Sequence, residues 1–156
     1  MADKGGGRRI VAQNRRAFHD YHIDERIEAG LVLQGTEVKS LRSGRANIGD
    51  AYAAEDHGEL WLVNAYIPEY EGGNRFNHET KRARKLLVRR KEMARLFSSV
   101  QRKGNTLVPL SIYFTQRGLA KVEIGVARGK KEFDKRAAKR DRDWSREKQR
   151  LLKHDA

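Results

Sequence analysis

Apolar positions change their spacing several times along this chain, and the changes divide it into elements. From Phe18 onward, Tyr21, Ile23, Ile27, Leu31 and Leu33 fall at even intervals with polar residues between most of them. That two-residue period marks a half-buried strand. The segment Glu37 to Ser43, between Gly35 and Gly44, sets Val38 and Leu41 three apart and predicts a short helix. Gly58-Glu59 then separates two apolar runs, Ala51 to Ala54 and Leu60 to Ile67, as the turn of a hairpin does. Tyr70 to Lys81 is a polar loop containing Gly and Asn. Met93, Leu96, Phe97 and Val100 recur at i, i+3, i+4 and i+7, and Gly104 closes the run, which predicts the clearest helix of the body. Leu107 to Thr115 reads as a strand and Gln116-Arg117-Gly118 as a turn. Val122, Ile124 and Val126, alternating with Lys121, Glu123 and Gly125, form the last strand.

Strands dominate, they are short, and turns join most of them. A mainly β fold, an antiparallel barrel rather than a parallel sheet, is expected. No internal repeat is visible. Residues 1–13 are expected to be a flexible lead, because Gly5, Gly6 and Gly7 beside Arg8 and Arg9 offer nothing to bury. The barrel is placed at residues 14–128. At Gly129 the apolar pattern stops, and residues 129–156 form a basic tail.

Eleven Lys or Arg against six Asp or Glu leave that tail with an excess of five positive charges. Wound as a helix, it puts Lys135, Lys139, Arg142, Arg146, Arg150 and Lys153 on one ridge, with Phe133, Ala137, Trp144 and Leu151 on the opposite side. Such a helix is marginal alone and can order against phosphates and bases. The plainer alternative is a solvated charged end whose Trp144 packs on its own domain. A membrane-surface helix fits poorly, because the apolar side is narrow and acids are interspersed.

Composition narrows the partners. The 156 residues suit one domain with an appendage, and charged residues reach 35% against 38% hydrophobic, so the core is modest. A formal net charge of +13 favours polyanions, nucleic acid before an anionic membrane. With no cysteine, disulfides, thiolate metal sites and Cys nucleophiles are excluded. No apolar run approaches the roughly 20 residues that cross a bilayer, and Met1 to Arg9 does not resemble a signal sequence, so a cytoplasmic protein is expected.

Candidate chemistry is sparse. His19, His22, His57, His78 and His154 are scattered, and His19 and His22, in a β-like segment, would face opposite sides. Ser40, Ser43 and Ser111 lack a neighbouring histidine and nucleophile-elbow glycines, and no glycine-rich stretch ends in the Lys-Ser/Thr of a phosphate loop. No catalytic residue, metal or cofactor is expected. The run Lys81-Arg82-Ala83-Arg84-Lys85, close to Arg89-Arg90-Lys91, gathers cations that either meet phosphates or form a solvated face.

An ordered set of segments resembles the SmpB family of SsrA-binding proteins of bacterial trans-translation. It comprises Asn14-Arg15-Arg16-Ala17 with Tyr21 and Ile23, the stretch Glu28 to Arg42, Asn77-His78-Glu79, Arg82 to Leu87, and Leu107 to Leu110. In the tail it continues with Gly129-Lys130-Lys131, Asp134-Lys135-Arg136 and Arg142-Asp143-Trp144. The resemblance implies an oligonucleotide-binding (OB)-like barrel with a few peripheral helices. It further implies binding to the tRNA-like end of transfer-messenger RNA (tmRNA) and delivery of that RNA to stalled ribosomes. The body then stands in for the anticodon arm, and the tail enters the empty mRNA channel as a helix. Elongation factor Tu and alanyl-tRNA synthetase act on the same particle, and the protein is expected to be a monomer.

The RNA contacts implied are Asn14, Arg15, Gly35, Thr36, Glu37, Lys39, Ser40, Arg42, Asn77, Arg82, Arg84 and Lys85. Lys39 and Arg42 suit phosphates, and Glu37 suits a ribose hydroxyl or base amine. Glu37 is alternatively a first-turn acid favoured by the helix dipole, and Asn14 and Asn77 are alternatively turn residues. Ribosome engagement is implied for Gly129, Lys130, Lys131, Phe133, Asp134, Lys135, Arg136, Arg142, Trp144 and Arg146, with Phe133 limited to stacking. Two rivals stay open: a ribosomal structural protein with a basic extension, and an RNA-modifying enzyme, which needs a reactive site that the sequence does not display.

Overall fold

Seven strands and three helices follow one another in a computed structural model of the chain, which describes residues 8–129. The strands are β1 (Arg9–Gln13), β2 (Tyr21–Leu31), β3 (Tyr52–Asp56), β4 (Glu59–Val63), β5 (Arg84–Leu87), β6 (Thr106–Phe114) and β7 (Ala120–Gly129). The helices are α1 (Arg15–Asp20), α2 (Gly35–Arg42) and α3 (Arg90–Lys103), with a 3₁₀ turn at Glu71–Phe76. The strands lie in the order β1-β6-β3-β4-β5-β2-β7, and β7 also pairs with β6. Six strands therefore close into an antiparallel ring, as an OB-like barrel requires, and β1 lies along β6.

Alternation explains the interior. Ile27, Ala29 and Leu31 of β2, Leu60 and Leu62 of β4, Leu86 of β5 and Ile112, Val122 and Ile124 of β6 and β7 are buried in one cluster. Bulges between Ile23 and Glu25 and between Pro109 and Ser111 shift the register. Beyond these bulges Ile23, Val108, Leu110 and Ala127 form a separate cluster, which Ala17 of α1 covers.

Four expectations need correction. The 1–13 lead is too long: Arg9–Gln13 is a strand paired with β6, with Val11 and Ala12 buried. The segment around Phe18 is helical before it is extended, because Asn14 caps α1 by accepting from the Ala17 N–H at 3.1 Å. His19 therefore sits in the last turn of α1 rather than in a strand shared with His22. The hairpin turns on His57-Gly58, both with positive φ (54° and 78°), and Glu59 already belongs to β4. Two left-handed residues are what a two-residue hairpin turn of matching twist needs, and glycine takes that conformation without strain. The remaining predicted helices are present: α2 starts two residues early, and α3 ends at Gly104 with Leu96 buried. Apart from Gly129, the tail lies outside the described residues.

Candidate nucleic-acid interface

Helix α2 caps one end of the barrel, and side chains on its inner face fasten it. Glu37 has no exposed surface. Its carboxylate accepts from Arg84 Nε at 2.5 Å, from Arg82 Nη2 at 2.6 Å and from the Gln34 N–H at 2.8 Å. Arg84 is equally buried. Its other nitrogens donate to the carbonyls of Ala65 (2.7 Å), Thr80 (3.1 Å) and Glu79 (3.4 Å). Two opposite charges are tolerated in such a place only when paired and otherwise hydrogen-bonded, and here both conditions hold. Burial pushes the Glu37 carboxyl up, but the bonds from Arg82, Gln34 and Arg84 outweigh it and leave the group below the usual carboxylate range. Burial lowers the Arg84 guanidinium, and Glu37 opposes that shift.

Two more bonds complete the attachment. The Ser40 hydroxyl donates to the Pro68 carbonyl at 2.5 Å, and Thr36 Oγ1 lies 2.9 Å from Nδ1 of the buried His78. His78 Nε2 is 2.9 Å from the Ile67 carbonyl. Since the carbonyl can only accept, Nε2 carries a proton and donates to it, and the ring is held between Ile67 and Thr36.

The outer face of α2 differs in kind. Lys39 and Arg42 are exposed, and each cation sits over a ring: Lys39 Nζ is 5.6 Å from the Tyr70 centroid, and the Arg42 guanidinium 5.1 Å from that of Phe114. Arg9 donates to the Arg42 carbonyl at 3.0 Å. Beside it, Arg8 lies 4.4 Å over the Tyr113 ring and pairs with Glu28 at 3.7 Å. Burial, and then the hydrogen bond to Glu28, holds the Tyr113 phenol above its ordinary range. The helix thus carries Lys39 and Arg42 on braced side chains, with Arg9 bonded to its last residue and Arg8 next to Arg9 in the chain.

The implied RNA residues divide accordingly. Gly35, Thr36, Lys39, Arg42, Asn77 and Arg82 gather around α2, and of these Gly35, Lys39 and Arg42 are exposed. Glu37, Ser40, Arg84 and Asn14 are buried, which corrects their expected role as direct contacts. Asn14 Nδ2 donates to the carbonyls of Pro109 (2.9 Å) and Ile48 (3.2 Å), so its polar atoms are committed inside the protein. Asn77 is half-buried and bonds both backbone groups of Tyr70. Arg15 is exposed on α1, which follows β1, whereas Arg42 is bonded by Arg9 at the start of that strand, whose five residues span roughly 15 Å. Lys85 lies on the barrel flank and pairs with Glu59 at 3.3 Å. The expected run of cations from Lys81 to Lys85 is not one face, because Arg84 turns inward.

Sequence reasoning missed Arg8, Arg9, Tyr70, Tyr113 and Phe114. A usable signal existed for the first two, since Arg8-Arg9 directly precedes the short apolar run Ile10-Val11-Ala12. Lys130, Lys131, Phe133, Asp134, Lys135, Arg136, Arg142, Trp144 and Arg146 fall outside the described residues, and Gly129 ends β7. No group of acids and histidines arranged to hold a metal ion occurs among the described residues, and no helix there is long and apolar enough to cross a membrane.

A family model described as "SmpB protein" matches residues 11–154. Among curated relatives, an SsrA-binding protein of Bartonella henselae is 61% identical over 146 residues, covering 94% of this chain and 92% of its own. An SsrA-binding protein of Brucella canis is 59% identical with the same coverage. The chain also resembles one in a solved structure described as "tmRNA-SmpB: a journey to the center of the bacterial ribosome". The TM-score is 0.65 and the identity 53%, over 76% of this chain and 82% of that one.

Proposed function

The chain belongs to the SmpB family, and from that premise we propose that it binds the tRNA-like domain of tmRNA and delivers it to stalled ribosomes. It acts by binding, not by catalysis. The observation that carries this is the α2 end of the barrel, where exposed Lys39 and Arg42 stand on a helix locked from beneath by the buried Glu37–Arg84 pair. Cations held in place meet a folded RNA backbone without the ordering cost of free side chains. Gly35, Thr36, Asn77 and Arg82 contribute at the margin of this surface, Arg15 and Lys85 touch RNA elsewhere, and the buried Asn14, Glu37, Ser40 and Arg84 position the rest.

In this mechanism the barrel occupies the place of an anticodon arm. Residues from Gly129 onward, with Lys130, Lys131, Phe133, Asp134, Lys135, Arg136, Arg142, Trp144 and Arg146 as the engaging set, enter the vacant mRNA channel and become helical there. The protein works as a cytoplasmic monomer, and elongation factor Tu and alanyl-tRNA synthetase meet it through the RNA. Truncation before Gly129 tests this division of labour. tmRNA affinity and the melting temperature are expected to stay close to those of the full chain while peptide tagging is abolished. Parallel loss of RNA binding would refute it.

A further inference from the structure

Phe76 is the most exposed large apolar side chain among the described residues, at 80%. Exposing a phenyl ring on a soluble protein is unfavourable, yet the loop carrying it is built in detail. Asn77 closes its neck twice: Oδ1 accepts from the Tyr70 N–H at 2.9 Å, and Nδ2 donates to the Tyr70 carbonyl at 2.7 Å. Between these points the chain passes directly over the Tyr70 ring. A Cβ at Gly72 would lie 2.8 Å from Tyr70 Cε2, so any larger residue there would push the Tyr70 ring aside. The loop is also tied to α2 on both sides of Phe76: Lys39 lies on the Tyr70 ring, and Thr36 bonds His78. Two residues span at most roughly 7 Å, so the Phe76 backbone is held within that distance of a residue anchored to α2. Arg45, just beyond the helix, pairs with Glu71 at the loop's start (3.7 Å).

An exposed ring on a loop tied to a helix that carries exposed cations is what recognition of an unstacked nucleotide needs, the cations meeting phosphate while the ring takes the base face. Building on the RNA binding proposed above, we propose that the Tyr70–Asn77 loop is a stacking subsite in which Phe76 packs on an unpaired base of the tmRNA held by α2. An apolar pocket on a protein partner could also take this side chain. The two differ in chemistry, because a base selects flat rings, whereas an apolar pocket accepts leucine.

The test measures the affinity of the full chain for tmRNA in Phe76→Ala, Phe76→Leu and Phe76→Trp, with Lys39→Ala alongside and melting temperatures as a folding control. Phe76→Ala and Phe76→Leu are expected to bind about 5- to 150-fold more weakly, the range for one lost base stack. Phe76→Trp should stay within about 2-fold, and the salt dependence should not change, because no charge is removed. Wild-type affinity in Phe76→Ala with a weakened Lys39→Ala would overturn the subsite and leave the RNA surface standing, as would Phe76→Leu restoring what alanine loses. A wild-type chain that does not bind tmRNA would overturn both.

Discussion

Glu37 and Lys39 are two positions apart on one short helix and perform opposite tasks. Glu37 is sealed against Arg82 and Arg84, whereas Lys39 faces solvent across Tyr70. Glu37→Gln removes one partner of a buried ion pair and is expected to cost about 3–5 kcal/mol of folding stability. Lys39→Ala should change stability by less than about 0.5 kcal/mol, weaken tmRNA binding, and reduce the salt slope by about 0.7–0.9. Thermal melts and binding titrations at several salt concentrations separate the two, and equal losses of stability would contradict the assignment. pH gives a second check. A carboxyl whose pKa is lower folded than unfolded adds stability above its unfolded value and loses it as pH falls through its folded value. The Glu37 contribution should therefore be complete near neutrality and disappear below the ordinary carboxylate range, and Glu37→Gln should remove that part of the acid dependence. None of this was legible from the stretch around Glu37, because its arginine partners lie 45 and 47 residues away. A lone acid in a first helical turn looks the same whether it faces solvent or an arginine.

Elements with a long, regular period were legible, and those built by one side chain were not. Helix α3 repeats its apolar positions over two turns, and β7 alternates cleanly, so both were placed correctly. Helix α1 has six residues, too few to display a period, and exists because Asn14 caps it while bridging to Ile48 and Pro109. Asn14→Ala should consequently cost about 2–4 kcal/mol, a lost cap together with buried carbonyls left without donors. RNA affinity measured well below the melting temperature should fall little. A strong loss of affinity with unchanged stability would return Asn14 to the RNA surface. Strand β1 was hidden by the glycines before it, and the two-residue period through β2 concealed the bulge that places Ile23 and Ile27 in different clusters. The Tyr70–Lys81 loop shows no period in the sequence, yet Asn77 gives its neck a fixed shape through two bonds to Tyr70.

As a body, the protein braces the exposed cations on and beside α2 with rings and a carbonyl, and it carries a further five net positive charges beyond β7. Net charge alone attracts any polyanion. Selecting one RNA requires cations at fixed positions, which the Glu37–Arg84 lock under α2 supplies. The chain should therefore discriminate among RNAs of similar length and charge. Sequencing the RNA recovered with the full-length protein from cells measures this choice. The expected result is one dominant species that carries a tRNA-like end. A broad mixture of ribosomal RNA fragments, held at one protein per washed ribosome, would contradict it and identify a structural component of the ribosome instead.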